Sequence, residues 1–291
     1  MSEKIKRARP ENTIDLELDN LKASVTLFGA TVLSFSIGEK EILFLSEKAV
    51  LNGTKPIRGG IPIVFPHFGA GDGTLPSHGF ARTSMWKILQ EVPGSVVLGL
   101  SWKDPLSSDA WKFPFNLEYT IQLTKENGGS LKTSLRIMNV GLVGEDQFSF
   151  QCLQHTYLNI PKIADVSVHG LAQGSFINQL ANREIQILNQ DILKVDREVD
   201  WIFLGNQEKQ EVVVGRGDFG VSIKFSLNIA SNHVPCDIVV WNPWIEKSKK
   251  LADFGDEEYH RMICIEPGNV SRFDTLKGGE DAVLTQVLSL V

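Results

Sequence analysis

Apolar and polar residues alternate with a period of two along much of the chain. In SLKTSLRI, Leu131, Thr133, Leu135 and Ile137 fall on one face, and Lys132, Ser134 and Arg136 on the other. In GVSIKFSLN, Val221, Ile223, Phe225 and Leu227 alternate with Ser222, Lys224, Ser226 and Asn228. Such alternation predicts strands with one buried and one wetter face. The same logic marks IDLELD, ASVTLF, TVLSFSI, EILFLS, SVVLGLSW, LEYTIQLT, QFSFQCLQHTYLNI, ADVSVHGL, VDWIFLG, QEVVVGR, DIVVWN, RMICIE and LTQVLSLV. Turn-formers such as ENGG, PG and KGG separate them. Helical periodicity is scarce, and WIEKSKKLADF and NQLANREI each support one short helix at most. Many short strands with frequent turns predict an all-β sandwich or barrel. With no Pro/Gly/Ser linker and no internal repeat, one β domain over residues 1–291 is the simplest organisation.

Composition narrows the class. Hydrophobic residues make up 42% of the chain, enough for a sizeable core. The three cysteines, Cys152, Cys236 and Cys264, give no disulfide framework and suit a reducing, cytoplasmic setting. The polar start MSEKIKRARPENT has no apolar signal region, and no run of 18 apolar residues exists, so neither secretion nor a membrane span is expected. The sequons at Asn52 and Asn269 then carry no weight. A net charge of −6 disfavours a broad nucleic-acid surface but permits one local basic pocket.

Three familiar motifs are set aside. GAGDGT at residues 69–74 is followed by Leu75 and Pro76 rather than a helix, so it reads as turns and not as a dinucleotide fingerprint. Cys152 and His155 have a metal-like spacing, but residues three apart on a strand face opposite ways. No GxSxG nucleophile elbow occurs.

Polar residues within apolar strands are the better candidates. His155 sits mid-strand in FSFQCLQHTYLNI, where it is either a hydrogen-bonded core histidine or a working group. Glu266 ends the apolar MICIEPG; it either caps backbone donors in a turn or does chemistry, since a lone buried carboxylate costs several kcal/mol. Asp200 in REVDWIF poses the same choice. WNPWIEKSKK gathers Trp241 and Trp244 beside Asn242 and Lys247, as sugar pockets and ordinary cores both do. KPIRGGIPIVFPHFG and LPSHGFAR place Arg58, His67, His78 and Arg82 in apolar, Gly- and Pro-rich surroundings, where the arginines either pair with carboxylates or bind an anion.

In order and spacing, KPIRGGIPIVFPHFG, LPSHGFAR, QHTYLNI, DIVVWNPWIEKSKKLADF and MICIEPGNV resemble the aldose 1-epimerase (mutarotase) family, in particular its hexose-6-phosphate mutarotase branch, the glucose-6-phosphate 1-epimerases. The resemblance runs from about Leu27 to Phe273. It implies a large twisted β-sandwich with a sugar site on its concave face, and no metal or organic cofactor. It implies His155 as catalytic acid and Glu266 as catalytic base, His78 and Asp200 as sugar-binding groups, and Arg58 and Arg82 as the phosphate's partners. His67 matches no role. The expected substrate is a sugar phosphate, met by a monomer. The alternatives are the same reaction on an unphosphorylated hexose and a non-catalytic carbohydrate-binding sandwich.

The chemistry suits these residue types. Swapping anomers means taking the C1 hydroxyl proton while O5 is protonated, opening the ring, rotating about C1–C2 and reversing. Glutamate and histidine, with reference pKa values of about 4.3 and 6.5, can divide those tasks without a covalent nucleophile or a redox group.

Overall fold

The period-two segments become strands of three antiparallel sheets. The computed structural model describes residues 10–104, 111–205, 210–216 and 219–291; the polar stretch at 1–9 lies outside them. A first sheet is the meander β1 (Thr13–Leu18), β2 (Leu21–Thr26), β3 (Val32–Ile37) and β4 (Lys40–Glu41). The central sheet runs in the order β14 (Glu184–Ile187), β13 (Ser175–Asn178), β15 (Val199–Phe203), β19 (Asp237–Asn242), β20 (Met262–Lys277), β10 (Gln147–Gln154) and β5 (Ile63–Val64), with β11 (Tyr157–Asn159) also on β20. The third sheet runs β12 (Ser167–His169), β16 (Glu211–Arg216), β17 (Phe219–Ile229), β21 (Asp281–Leu290), β9 (Ser130–Asn139), β8 (Phe115–Thr124), β7 (Ser95–Ser101) and β6 (Lys87–Val92), with β18 (Asn232–Val234) on β17.

The alternation explains the layering. In β9, Leu131, Thr133, Leu135 and Ile137 are fully buried while Lys132 and Arg136 are exposed. These inward residues meet Phe150, Cys152, Ile263 and Ile265 of the central sheet in one main core. The central sheet is also covered on its other face, where Val64, Leu153, Tyr157, Val239, Trp241, Met262 and Cys264 form a second cluster. That double burial is why DIVVWN and MICIE read as nearly continuous apolar runs. The architecture is an all-β sandwich.

Only one α-helix, α1 (Trp244–Ser248), occurs among the described residues, within WIEKSKKLADF as expected. NQLANREI forms no helix. It is the connection between β13 and β14, turned by Asn182 and Arg183 at φ 50 and 62 and fixed by Asn178 Oδ1 accepting from the Leu180 N–H. EILFLS is strand only at its start, its later residues making single bridges from Leu43 to Leu158 and from Leu45 to Gly59. No helix among the described residues is long and apolar enough to cross a membrane.

Candidate active site

Strand register places His155 against Glu266. On β10, Leu153 pairs with Gly268 of β20; on β11, Tyr157 pairs with Cys264. The register is the same on both sides of the gap, so His155 falls opposite Glu266, and directly opposed residues project from the same face. The predicted long strand is interrupted here because the Thr156 N–H turns back to the Gln154 carbonyl (2.9 Å), while the His155 N–H still goes to Pro62 (2.9 Å) and Thr156 still accepts from the Ile265 N–H (3.1 Å). His155 Nδ1 lies 3.3 Å from Glu266 Oε1. The two are close but not aligned as a hydrogen bond, and neither Glu266 oxygen has such a partner among the described residues. Both side chains are buried, Glu266 at 1% and His155 at 8% exposure.

That burial sets the proton balance. Desolvation, with help from the charge of Asp200, pushes the Glu266 carboxyl well above its ordinary range, against the pull of Arg82. Desolvation, with His78, Arg82 and Arg58 adding to it, pulls His155 well below its ordinary value. Burial thus favours the uncharged form of each group, a protonated carboxyl and a neutral imidazole. The imidazole stacks flat on Tyr157 (4.6 Å between centroids, 9° between planes) and meets the edge of Trp241 at 6.1 Å.

His78 joins them from the turn before β6. It takes φ 64, with its N–H on the Gly69 carbonyl (2.7 Å) and its Nδ1 accepting from the Gly69 N–H (3.3 Å). Gly79, at φ 73, lets this turn press on β5, since a Cβ there would run into the Phe65 carbonyl. Burial, reinforced by the nearby arginines, brings His78 down to about 3, so its ring is neutral and the proton sits on Nε2. Its ring lies 6.0 Å from that of His155.

The two arginines differ in their partners. Arg58 gives Nε and Nη2 to Asp253 Oδ1, each at 3.2 Å, and Nη1 to the Tyr157 hydroxyl at 3.2 Å. Burial opposes its charge, but Tyr157 and Asp253 more than offset it and hold Arg58 above the usual arginine value. Arg82 gives Nη2 to the Ser77 carbonyl (2.6 Å), and its Nε is buried without a partner among the described residues. Burial, with Arg58 adding to it, lowers Arg82 to about 10, still charged at neutral pH. Two guanidiniums with one directly paired carboxylate among the described residues leave a local surplus of positive charge in an acidic protein.

Asp200 stands opposite Trp241 on the neighbouring β15, accepting from Gln179 (3.0 Å), with Lys247 Nζ 3.8 Å from its other oxygen. Burial raises its pKa. Lys247 also pairs with Glu198, and Lys249 with Glu246, so both lysines are engaged. His67 is buried, its Nε2 without a partner among the described residues and turned toward Gly71, where a Cβ would lie only 2.7 Å from it. Cys264, rather than Cys152, comes close to His155; the ligating atoms of His155, Cys264 and Glu266 lie within 4.8 Å of one another. These donor types could hold zinc. Against a dication stand a thiol pushed well up by burial and by Glu266, and the charges of Arg58 and Arg82.

Tyr157, Asp253, Gln179 and Cys264 were not picked out from sequence. Tyr157 and Cys264 are each two residues from a candidate on the same strand, a usable signal; Asp253 and Gln179 offered none.

The model of the family described as Aldose 1-epimerase matches residues 12–289. A protein of Cenchrus ciliaris named "Putative glucose-6-phosphate 1-epimerase" is 34% identical over 270 residues, covering 90% of this chain and 79% of that protein. An Escherichia coli K12 protein of the same name is 29% identical, with 91% and 86% covered. Among solved structures, a mutarotase-named protein (YeaD) of Salmonella typhimurium superposes with a TM-score of 0.81 at 25% identity, over 96% of this chain and 90% of that one. A match over nearly the whole length, on a mutarotase-like sandwich with a buried Glu–His pair, leaves one conclusion: the chain belongs to the aldose 1-epimerase family.

Proposed function

We propose that the protein interconverts the α and β anomers of glucose 6-phosphate, with Glu266 and His155 as the acid–base pair and Arg58 and Arg82 as the phosphate's partners. The carrying observation is the buried pair, 3.3 Å apart, beside two arginines of which only Arg58 has a directly paired carboxylate among the described residues. The names of the relatives from Cenchrus ciliaris and Escherichia coli support the same substrate.

Glu266 takes the C1 hydroxyl proton while His155 protonates O5. After rotation about C1–C2 the two reverse their roles. The resting pair already holds the one proton this cycle needs, on the carboxyl. Moving it to the imidazole produces the carboxylate base and imidazolium acid. A phosphate dianion against Arg58 and Arg82 cancels charge that depresses His155, so the substrate itself favours that transfer. His78 offers Nε2–H, and Asp200 a carboxylate, to sugar hydroxyls. The reaction needs no metal or organic cofactor, and the protein acts as a cytoplasmic monomer.

Saturation-transfer NMR of glucose 6-phosphate and of glucose tests the reading. Glu266→Gln and His155→Ala should each slow exchange by roughly 10²–10⁴ with circular dichroism unchanged. Near wild-type exchange in either variant would remove that residue from the mechanism. Faster turnover of glucose than of its phosphate would reassign the substrate. Sugar binding without exchange would leave only a carbohydrate-binding sandwich.

A further inference from the structure

We propose that Tyr157 is a specificity-determining residue, its hydroxyl donating to the substrate phosphate beside Arg58 while its ring sets the plane of the His155 imidazole. The inference rests on the reading of Arg58 and Arg82 as the phosphate's partners.

Tyr157 follows His155 by two residues and lies on the same face of the central sheet, fixed by its register with Cys264. It is 2% exposed. One face of its ring carries the His155 imidazole, and Trp241 packs edge-on at 6.0 Å. Its oxygen accepts from Arg58 Nη1, while Asp253 occupies the Nε side of the same guanidinium. A phenol oxygen that accepts one hydrogen bond still has its own proton to give. No acceptor takes that proton among the described residues, and burial drives the phenol pKa up, so the group remains an O–H donor. An anion drawn to Arg58 and Arg82 therefore meets a third donor already held in place by the first.

The arrangement favours a phosphorylated sugar: a site built to hydrogen-bond a group discriminates against the analogue lacking it, because its donor is left unpaired. The phenol oxygen lies on the ring's own rotation axis, so a phosphate fixes where the ring sits, while the edge of Trp241 holds the plane on which His155 stacks.

Tyr157→Phe keeps the ring and removes the hydroxyl. The ratio of kcat/KM for glucose 6-phosphate to that for glucose should fall by roughly 10-fold or more, and the inhibition constant of inorganic phosphate should rise. Tyr157→Leu, which also removes the stacking plane, should damage both substrates heavily. If Arg58→Ala lowers the ratio and Tyr157→Phe does not, the role of Tyr157 is overturned while the phosphate reading stands. If neither changes it, the phosphate reading falls as well. An equal loss for both substrates in Tyr157→Phe would mean a purely structural tyrosine. The unaltered protein gives an independent check, because it has three tyrosines and ¹³Cζ labelling yields three resonances. Inorganic phosphate should shift one of them; three unmoved resonances at saturating phosphate would overturn the inference.

Discussion

The buried proton on the acid–base pair has a thermodynamic signature that Glu266→Gln should expose. Glu266 is fully buried with neither oxygen hydrogen-bonded among the described residues, and its carboxyl is held above the ordinary value of 4.5. Above 4.5 the unfolded chain releases a proton that the folded chain keeps, so this group's contribution to stability falls as pH rises toward the folded value. For one proton the slope approaches ~1.4 kcal/mol per pH unit. His155 works in the opposite direction. Its folded pKa lies below 6.5, so the unfolded chain binds a proton that the fold refuses, and stability is lost as pH falls below 6.5. Between about 4.5 and 6.5 the two slopes cancel in the wild type, because folded and unfolded pairs each hold one proton. Removing the carboxyl uncovers the histidine. Glu266→Gln should gain on the wild type by ~1.4 kcal/mol per pH unit as pH rises from about 5, while its activity collapses. His155→Gln should do the mirror image, gaining as pH falls below about 6.5. Urea unfolding followed by tryptophan fluorescence across this range reads both differences. A Glu266→Gln advantage that stays constant from about pH 5 to 8, or shrinks with rising pH, would refute the neutral pair.

Other consequences are independent of that proton. Arg58→Ala and Arg82→Ala should each lower the glucose 6-phosphate to glucose ratio of kcat/KM by roughly 10- to 150-fold, the worth of one charge-assisted hydrogen bond; unchanged ratios would send the search to Lys247 and Lys249. Gly79→Ala should lower the melting temperature by several degrees and disturb His78, since it meets both the Phe65 carbonyl and φ 73, whereas Gly73→Ala, at φ 87 with open space around it, should lose roughly 1–3 kcal/mol at most. Equal effects at the two glycines, read by thermal melts, would contradict the close approach of the turn to β5. Exhaustive chelation should leave exchange unchanged; activity lost to chelator and restored by one metal would instead point to the His155, Cys264 and Glu266 donors.

Legibility in the sequence followed the range of the forces involved. Strands such as β9 and β17 were readable because a two-residue period is a local property and one face is buried. β6 was not, because all six of its residues are exposed and no alternation marks it. NQLANREI has helix-forming residues, yet cross-strand pairing of Asn178 with Glu184 and of Ile177 with Ile185 overrides their propensity. QFSFQCLQHTYLNI looked continuous because nothing in its residue pattern marks the point after Gln154 where the Thr156 N–H turns back to the Gln154 carbonyl. The candidates His155, Glu266, His78, Arg58, Arg82 and Asp200 stood out as polar residues where apolar ones were expected. Their partners did not. Asp253 reaches Arg58 across 195 residues, and no local pattern encodes such a pairing.

The central sheet sets His155 and Glu266 side by side although β10 and β20 are far apart in the chain and β5 and β19 must flank them. Closing such distant segments comes late and slowly in folding, since chain entropy is spent before the contacts return it. A chain that has not yet paired β10 with β20 does not hold the two groups at reacting distance. Regained anomer exchange would thus time the last step of refolding, when far-UV signals from the early hairpins have already levelled off.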